Sequence, residues 1–372
     1  MKNAFYESEK YIFETSTGAL PNKGILFVDH EKNFRSGHLG HAMVEYAPDK
    51  ILCFYANCAG EPNEGHNAIG WMCYKRSLDG GKTWCEDEPF PYSRDLFEMN
   101  SGVTCFNEKA VIAPDGCIVL FNLVCCNRMM WDLWEPYWIN TMRSYDGGKT
   151  WTIPKMFITN HQMNRLGRVY DAKTIGNKIY VLYCESDNAT QGSNHFQIFV
   201  SDNNGDTFHH LSNLDFPTKD TFYGSLVVLD DGSLAVYVYN ELDEKSLLCS
   251  ISRDMGENWE KPFKVKFEKM IRNPQIVKFK DTFFCFGRSG NNDPFESQID
   301  ETKGHAVVYC SPDGINWDEG QYLRKRDAKC GSYSNTLIVG KGDKERLLYQ
   351  SSFAYNEHRT NVIHWWIDAK KK

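Results

Sequence analysis

Three arginines lie at the ends of apolar, strand-like segments. Arg168 precedes the run VYDAKTI, Arg272 begins RNPQIV, and Arg288 directly follows FFCFG. A guanidinium group is a planar fork of N–H donors that matches the two oxygens of a carboxylate. We therefore predict that these three arginines bind the acidic group of a substrate.

A second set of residues is suited to proton transfer. His41 and His66 lie near the two ends of one predicted hairpin, and an imidazole can donate or accept a proton near neutral pH. Asp171 and Glu241 are candidate carboxylates, because a glycosidase of the two-carboxylate type needs such a pair. Tyr170, in RVYD, is a candidate for substrate binding or for accepting a proton.

The elements that must position these residues are defined by an eight-residue repeat. Five copies occur: SLDGGKTW at 77–84, SYDGGKTW at 144–151, SDNNGDTF at 201–208, SRDMGENW at 252–259 and the shorter SPDGINW at 311–317. Each copy follows a run typical of a β-strand. Asp or Asn, Gly and Ser are turn residues, and the final aromatic residue can fill a gap between sheets. Each copy is therefore predicted to be a structural turn.

The segments between the repeats contain pairs of apolar strands joined by turns. Six such hairpins are HAMVEYAPDKILCFYA, KAVIAPDGCIVLFNL, YDAKTIGNKIYVLYC, GSLVVLDDGSLAVYVY, PQIVKFKDTFFCFG and SNTLIVGKGDKERLLYQS. Small antiparallel sheets arranged around an axis protect their edges in a β-propeller. The sequence predicts an all-β fold: one domain over residues 1–372, a six-bladed β-propeller with four-stranded antiparallel blades. A strand near residues 11–16 is expected to close the ring.

The octets resemble the Asp-box, or BNR repeat, of the sialidase superfamily, and the resemblance covers roughly residues 30–368. It implies a sialidase-like propeller with the octets at its periphery, away from the site. It also implies an exo-acting glycoside hydrolase for a sialic-acid-like or other acidic sugar. The segment GSYSNTLIV resembles the family's tyrosine motif, so Tyr333 is implied as the nucleophile. Glu241 is the nearest analogue, by blade, of the glutamate that accompanies this tyrosine.

Other positions depart from the family pattern. Leu39 stands where the first carboxylate-binding arginine is expected, and His41 stands in place of the following proline. Counting back from the first octet puts His66 at the position of the acid/base aspartate. The family's set of carboxylate-binding arginines is therefore not carried over, and the chain's own three arginines are expected to replace it.

Two other functions stay open. His41, His66, Tyr170 and Arg168 are similar to the arrangement in sialidase-fold uronate lyases, which neutralise a uronate carboxylate and remove the C5 proton. The third possibility is a glycan-binding propeller without catalysis. Elimination produces an unsaturated uronate that absorbs ultraviolet light, whereas hydrolysis does not.

Composition and charge exclude several classes of partner. The net charge is −7 and the isoelectric point is near 5.9, so no basic surface that would attract nucleic acid is expected. No run of 18 apolar residues indicates a membrane span. The 13 cysteines include no CxxC pair, and phosphate-binding glycine motifs are missing from the sequence. We therefore predict a carbohydrate ligand, no metal and no cofactor, and we make no prediction of oligomeric state.

The amino terminus and the cysteines bear on localisation. MKNAFYESEKYIF carries charges where a signal peptide would be apolar. Several cysteines lie singly within apolar runs, which suits a reducing compartment. These features predict a cytoplasmic protein, or a secreted one if the sequence has lost its leader.

Overall fold

The computed structural model describes residues 10–14, 24–59, 69–100, 102–126, 138–158, 166–186, 193–290, 304–324, 333–356 and 359–370. Its strands form six antiparallel sheets, five with four strands and one with five. The prediction of an all-β, six-bladed propeller with four-stranded antiparallel blades is confirmed.

The strands follow one another blade by blade along the chain. Two amino-terminal strands that belong to the last blade are β1 (Tyr11–Glu14) and β2 (Ile25–Val28). Blade one contains β3 (Met43–Ala47), β4 (Lys50–Cys58), β5 (Gly70–Ser77) and β6 (Glu88–Pro89). Blade two contains β7 (Val103–Ile112), β8 (Ile118–Cys126), β9 (Trp138–Ser144) and β10 (Lys155–Met156). Blade three contains β11 (Leu166–Ile175), β12 (Lys178–Ser186), β13 (Asn194–Ser201) and β14 (His209–Asn213).

The remaining blades repeat this order. Blade four contains β15 (Thr221–Val228), β16 (Leu234–Asn240), β17 (Ser246–Ser252) and β18 (Phe263–Lys266). Blade five contains β19 (Arg272–Phe279), β20 (Thr282–Arg288), β21 (Ala306–Ser311) and β22 (Gln321–Arg324). Blade six contains β23 (Ser334–Val339), β24 (Arg346–Ala354) and β25 (Thr360–Ala369) together with β1 and β2.

Among the described residues, helical structure is confined to the connections between strands. Helix α1 (Pro91–Met99) links blades one and two and begins with a proline, which suits the first position of a helix. Short 3-10 turns occupy Glu31–Asn33 and Gly342–Lys344. In the described parts of the chain, no helix has the length and apolar character needed to cross a membrane.

The two ends of the chain meet in blade six. Strand β1 pairs with β25, with Tyr11 opposite Ala369, and β2 pairs with the other half of β25. The Tyr11 hydroxyl donates a 2.7 Å hydrogen bond to Asp281, and its ring packs edge-on against Phe284 in blade five. The amino-terminal strand thus joins the last blade and also contacts its neighbour.

The octets form turns that are closed by their own side chains. In the second copy, the Ser144 hydroxyl donates to Asp146 at 2.9 Å and accepts the Gly148 N–H at 2.7 Å. The Asp146 carboxylate also accepts the Thr150 hydroxyl at 2.6 Å and the Thr150 N–H at 2.9 Å. Equivalent serine-centred bonds begin at Ser77, Ser201, Ser252 and Ser311. Each octet is a self-contained polar turn, as its residue types predict.

The aromatic residue of each octet packs towards the preceding blade. Trp151 of blade two lies 5.6 Å from Phe90 and 6.2 Å from Phe54, measured between ring centroids. Similar contacts to the preceding blade join Trp84 with Phe27, Phe208 with Phe121 and Trp317 with Tyr237. The octets therefore hold neighbouring blades together.

Strand register places the octets and the candidate site at opposite ends of the blades. In blade three, the octet serine Ser201 pairs with Ile179, beside the hairpin turn. Arg168 pairs with Cys184, five residues further along the same strand, which corresponds to about 17 Å at roughly 3.3 Å per residue. The candidate site is therefore at the end where the inner strands begin.

Candidate functional site

Register shifts within four inner strands determine which side chains line the propeller axis. The residue skipped in the pairing is Glu108 in β7, Tyr170 in β11 and Tyr223 in β15, and β19 skips Asn273 and its neighbour. A bulge adds a residue to one strand and redirects its side chain. Glu108, Tyr170, Tyr223 and Asn273 all line the same cavity. Four blades thus each contribute a side chain to the site through a register shift in their inner strand.

Two of these bulges contain a left-handed backbone. Tyr223 has φ of 47° and Asn273 has φ of 54°. A non-glycine residue in this region is uncommon and costs of order 1–3 kcal/mol for a bulky side chain, and such residues cluster at functional sites. The surrounding sheet must therefore hold the Tyr223 backbone in a conformation that a tyrosine does not favour by itself.

The cavity lies on the axis where the inner strands begin, and its volume is about 500 Å³ when the part open to solvent is included. Its walls come from five inner strands and from the segment before β3. The lining residues are Leu39, Gly40, His41, Glu108, Lys109, Arg168, Val169, Tyr170, Tyr223, Gly224, Asn273, Gln275, Tyr333 and Ser334.

Two tyrosine hydroxyls, one from blade four and one from blade six, meet in this cavity. The hydroxyl oxygens of Tyr223 and Tyr333 are 3.0 Å apart, and the ring centroids are 5.7 Å apart in an edge-on arrangement. Burial acts to raise the pKa of Tyr223, but Arg272, the bond to Tyr333 and Arg168 together lower it to about 8. Burial and the neighbouring Tyr223 raise the pKa of Tyr333. Either hydroxyl can donate in this bond, and the opposite directions of the two pKa shifts favour Tyr333 as the donor.

Arginine side chains surround this tyrosine pair. The Arg272 guanidinium lies between two aromatic faces, 5.4 Å from the Tyr223 ring centroid and 5.0 Å from that of Tyr239. Its Nε and Nη1 atoms are buried and donate to no acceptor among the described residues. Burial opposes the charge of Arg272, but Tyr223 and Tyr239 outweigh it and raise its pKa. Arg272 is thus held by ring faces, with N–H groups left for a ligand.

Arg288 and Arg168 extend the positive region. Arg288 is directly opposite Arg272 in the sheet, is 6% exposed, and its Nε finds no acceptor in the described ranges. Burial and the charge of Arg272 lower the pKa of Arg288 to about 10. The pKa of Arg168 is raised, because Tyr170, Tyr333 and Glu108 outweigh its burial.

Glu108 is the only carboxylate among the described residues that line the cavity. Its Oε1 atom is buried and has no hydrogen-bond partner in the parts of the chain described. Burial raises the pKa of Glu108, although Arg168 and Lys109 oppose this shift. A buried carboxyl group with a raised pKa suits a general acid.

A polar network lies beside Glu108 at the axis. Lys109 Nζ donates 2.7 Å hydrogen bonds to Gln275 and Asn335 and is 3.5 Å from an Asp171 oxygen. The other Asp171 oxygen accepts the Ser225 hydroxyl at 3.0 Å and the Leu226 N–H at 2.9 Å. This network connects inner strands of five blades.

Two histidines lie on the blade-one side. His41 lines the cavity, and its Nδ1 is 3.2 Å from the Gln350 amide nitrogen, whose carboxamide oxygen is 2.7 Å from His364. Burial lowers the pKa of His41 to about 4, so its imidazole is neutral at pH 7. The ring of His38 packs edge-on against Tyr333 at 5.0 Å.

The structure brings together most of the residues selected from the sequence. Tyr333, Arg168, Tyr170 and His41 line the cavity, and Arg272 and Arg288 lie next to its lining.

Glu241 and Asp171 do not line the described cavity. Glu241 follows the end of β16 and is exposed. Asp171 is 3% exposed, and its carboxylate is engaged with Lys109, Ser225 and Leu226. His66 lies outside the described residues.

Other residues of the site were not selected from the sequence. Glu108, Lys109 and Gln275 lie within strand-like runs, and Tyr223 and Asn273 begin them. Their exposure to the axis depends on the bulges, which leave no clear local signal in the sequence.

Comparison with known proteins agrees with the repeats and the propeller fold described above. The sequence profile of the family described as BNR repeat-like domain matches residues 100–344, well over half of the chain. The chain belongs to this family. The described propeller is therefore a BNR-repeat propeller. No curated protein matches the chain significantly.

Several solved structures share the fold of this BNR-repeat propeller at low identity. A protein of unknown function from Dyadobacter fermentans has a TM-score of 0.70 and 15% identity, covering 93% of this chain and 98% of that one. NanB sialidase from Streptococcus pneumoniae has a TM-score of 0.65 and 12% identity, covering 95% and 72%. The intramolecular trans-sialidase from Ruminococcus gnavus has a TM-score of 0.63 and 10% identity, covering 93% and 97%. At these identities the likeness shows the fold alone.

Proposed function

We propose that this BNR-repeat propeller is an exo-acting glycoside hydrolase for a sialic-acid-like or other acidic sugar. The observation that supports this proposal most is the tyrosine pair at the axis. The Tyr333 and Tyr223 hydroxyls are 3.0 Å apart, beside Arg272, which has two buried nitrogen atoms without acceptors among the described residues. This combines a candidate nucleophile with a binding group for a carboxylate.

The sugar's acidic group would bind at Arg272 and Arg288. Their unpaired N–H groups are fixed by burial, by the rings of Tyr223 and Tyr239, and by pairing across the sheet. A bound carboxylate would satisfy these donors and offset the two adjacent positive charges. The arrangement thus favours an anionic sugar over a neutral one.

Tyr333 would attack the anomeric carbon and form a covalent glycosyl intermediate. Glu108 would protonate the leaving oxygen, because its buried carboxyl group keeps its proton to higher pH than an exposed glutamate does. The carboxylate formed in that step would then take a proton from the water that releases the sugar. This sequence has two displacements and retains the anomeric configuration.

Hydrolysis can be tested with fluorogenic glycosides of sialic acid and of uronic acids, with neutral glycosides for comparison. We expect the wild-type protein to release the fluorophore from at least one acidic glycoside. Tyr333→Phe should lower kcat by about 10³-fold or more, because removing a covalent nucleophile eliminates the chemical step. Tyr145→Phe is a matched control, because Tyr145 is 65% exposed and belongs to the second octet. Full activity of Tyr333→Phe would exclude Tyr333 as the nucleophile.

Elimination from a uronate is the second candidate. It is favoured by the presence of one cavity carboxylate in the described lining, since elimination needs one base, one acid and a group that neutralises the uronate. A tyrosine with a lowered pKa is a suitable base. An ultraviolet-absorbing unsaturated product from a uronate oligosaccharide would support elimination, and release of sugar without that absorbance would support hydrolysis.

A further inference from the structure

We propose that Tyr223 is a catalytic base that takes the proton from Tyr333, the role that the resemblance to sialidases assigns to a carboxylate. This inference rests on the proposed hydrolase function and names a further catalytic residue for it. Three observations carry it: the contact between the hydroxyl groups, the charges around the pair, and the backbone that holds Tyr223.

The contact is direct. The two hydroxyl oxygens are at normal hydrogen-bond distance, 3.0 Å, so a proton can pass between them without a bridging group. The edge-on packing of the two rings at 5.7 Å keeps the hydroxyls facing one another. Glu241, the carboxylate suggested by blade position, is exposed after the end of β16.

The charges around the pair favour one phenolate. Arg272 lies over the Tyr223 ring, and Arg288 is opposite Arg272 in the sheet. The described lining of the cavity supplies a single carboxylate, Glu108, and burial favours its neutral form. A phenolate at Tyr223 therefore offsets positive charge that the described residues otherwise leave in excess. The direction of the pKa shifts agrees, since that of Tyr223 is lowered and that of Tyr333 is raised.

The backbone fixes Tyr223 at the cost of local strain. Its φ of 47° lies in the left-handed region, at the bulge between Phe222 and Gly224. A Cβ added at Gly224 would lie 2.8 Å from Leu182 and 3.1 Å from the Tyr237 carbonyl oxygen, so the following residue has little room to move. The bulge thus directs the phenol at Tyr333 and prevents it from relaxing into the regular register.

In the proposed reaction, Tyr223 and Glu108 each move one proton in each half. The Tyr333 oxygen forms a bond to the anomeric carbon while its proton passes to the Tyr223 phenolate oxygen. The bond from the anomeric carbon to the leaving oxygen breaks, and that oxygen takes the proton of Glu108. In the second half, water attacks the anomeric carbon and gives a proton to the Glu108 carboxylate. The Tyr333 oxygen then leaves and takes back its proton from Tyr223.

Ultraviolet titration of tyrosinate in the protein without substrate tests the inference independently of turnover. We expect the wild-type protein to ionise one tyrosine near pH 8, with an amplitude of one of the 19 tyrosines. Tyr223→Phe should lose this step. Tyr333→Phe should keep it, at higher pH than in the wild-type protein because the Tyr333 donor is gone, but below the ordinary range because the arginines remain. Tyr145→Phe should not change it.

Kinetics of the same variants provide the second readout. Tyr223→Phe should lower kcat by about 10²- to 10⁴-fold, the usual contribution of a general base, and should remove the rise of kcat with pH near 8. The inference is overturned if the ionisation near pH 8 persists in Tyr223→Phe or if that ionisation is lost in Tyr333→Phe. It is also overturned if Tyr223→Phe changes KM and leaves kcat unchanged. Finding the phenolate while no acidic glycoside is cleaved would overturn the hydrolase function, so the two failures are distinguishable.

Discussion

Replacing Lys109 with methionine should destabilise the propeller strongly, because Lys109 is the centre of the network at the axis. The side chain is 7% exposed and bonds to Gln275 and Asn335 at 2.7 Å, with Asp171 at 3.5 Å. Methionine fills a similar volume but leaves the Asp171 charge and two amide oxygens without this donor.

The size of the expected destabilisation depends on the partners that Asp171 keeps after Lys109 is replaced. Removing one partner of a buried ion pair costs about 3–5 kcal/mol. Lys173 also lies 3.5 Å from Asp171, and Ser225 and Leu226 still donate to it. We therefore expect a loss of about 3 kcal/mol in the free energy of unfolding, the lower end of that range.

Urea unfolding followed by tryptophan fluorescence gives this free energy. Lys173→Met is the matched control: the Lys173 side chain is 28% exposed, and a partly exposed pair is worth about 1 kcal/mol or less. A Lys109→Met variant that also carries Asp171→Asn should lose less than Lys109→Met alone, because no buried charge is left unpaired. If Lys109→Met lowers the free energy of unfolding by no more than Lys173→Met does, the polar network around Lys109 does not stabilise the propeller.

Three further predictions address an octet, a buried histidine and an arginine. Ser144→Ala should lower the free energy of unfolding by about 1–3 kcal/mol, because it leaves the buried Gly148 N–H without its acceptor. It should leave activity unchanged. Urea unfolding measures the first effect and a glycosidase assay the second. The pKa of His41 is about 4 in the folded state and near 6.5 in the unfolded state. Between these two pH values the unfolded state binds more protons than the folded state. The free energy of unfolding therefore falls as the pH falls from about 6.5 to 4. His41→Asn should show a shallower fall in urea midpoints measured across that window, and an equal slope in both proteins would contradict this assignment. Arg272→Met should raise KM for an acidic glycoside by about 10- to 100-fold, corresponding to about 1.5–3 kcal/mol for hydrogen bonds to a charged group, whereas the exposed Arg253→Met should not.

The fold is predictable from the sequence because its signals are local. Each octet closes with hydrogen bonds among its own residues, as Ser144, Asp146 and Thr150 show. Each hairpin is also a contiguous segment, so spacing alone defines the six blades. The arginines and Tyr333 could be selected because they lie at strand ends, and the register places strand ends around the axis.

The rest of the site depends on one-residue shifts that local patterns do not reveal. Tyr170 and Asp171 are adjacent, and the shift between Val169 and Asp171 sends the tyrosine into the cavity and the aspartate into the network with Lys109. Glu108 is brought to the cavity by a shift of the same kind in blade two. In a regular strand, successive side chains face opposite sides, so one inserted residue decides which side chain serves the site.

Covalent trapping on Tyr333 tests the central claim most directly. A fluorinated acidic glycosyl fluoride slows the release of a covalent intermediate, and peptide mass analysis then identifies the modified residue. We expect one sugar per protein chain, attached within the peptide that contains Tyr333, and no attachment in Tyr333→Phe. Attachment to a carboxylate such as Glu108, or turnover with inversion at the anomeric carbon, would contradict it.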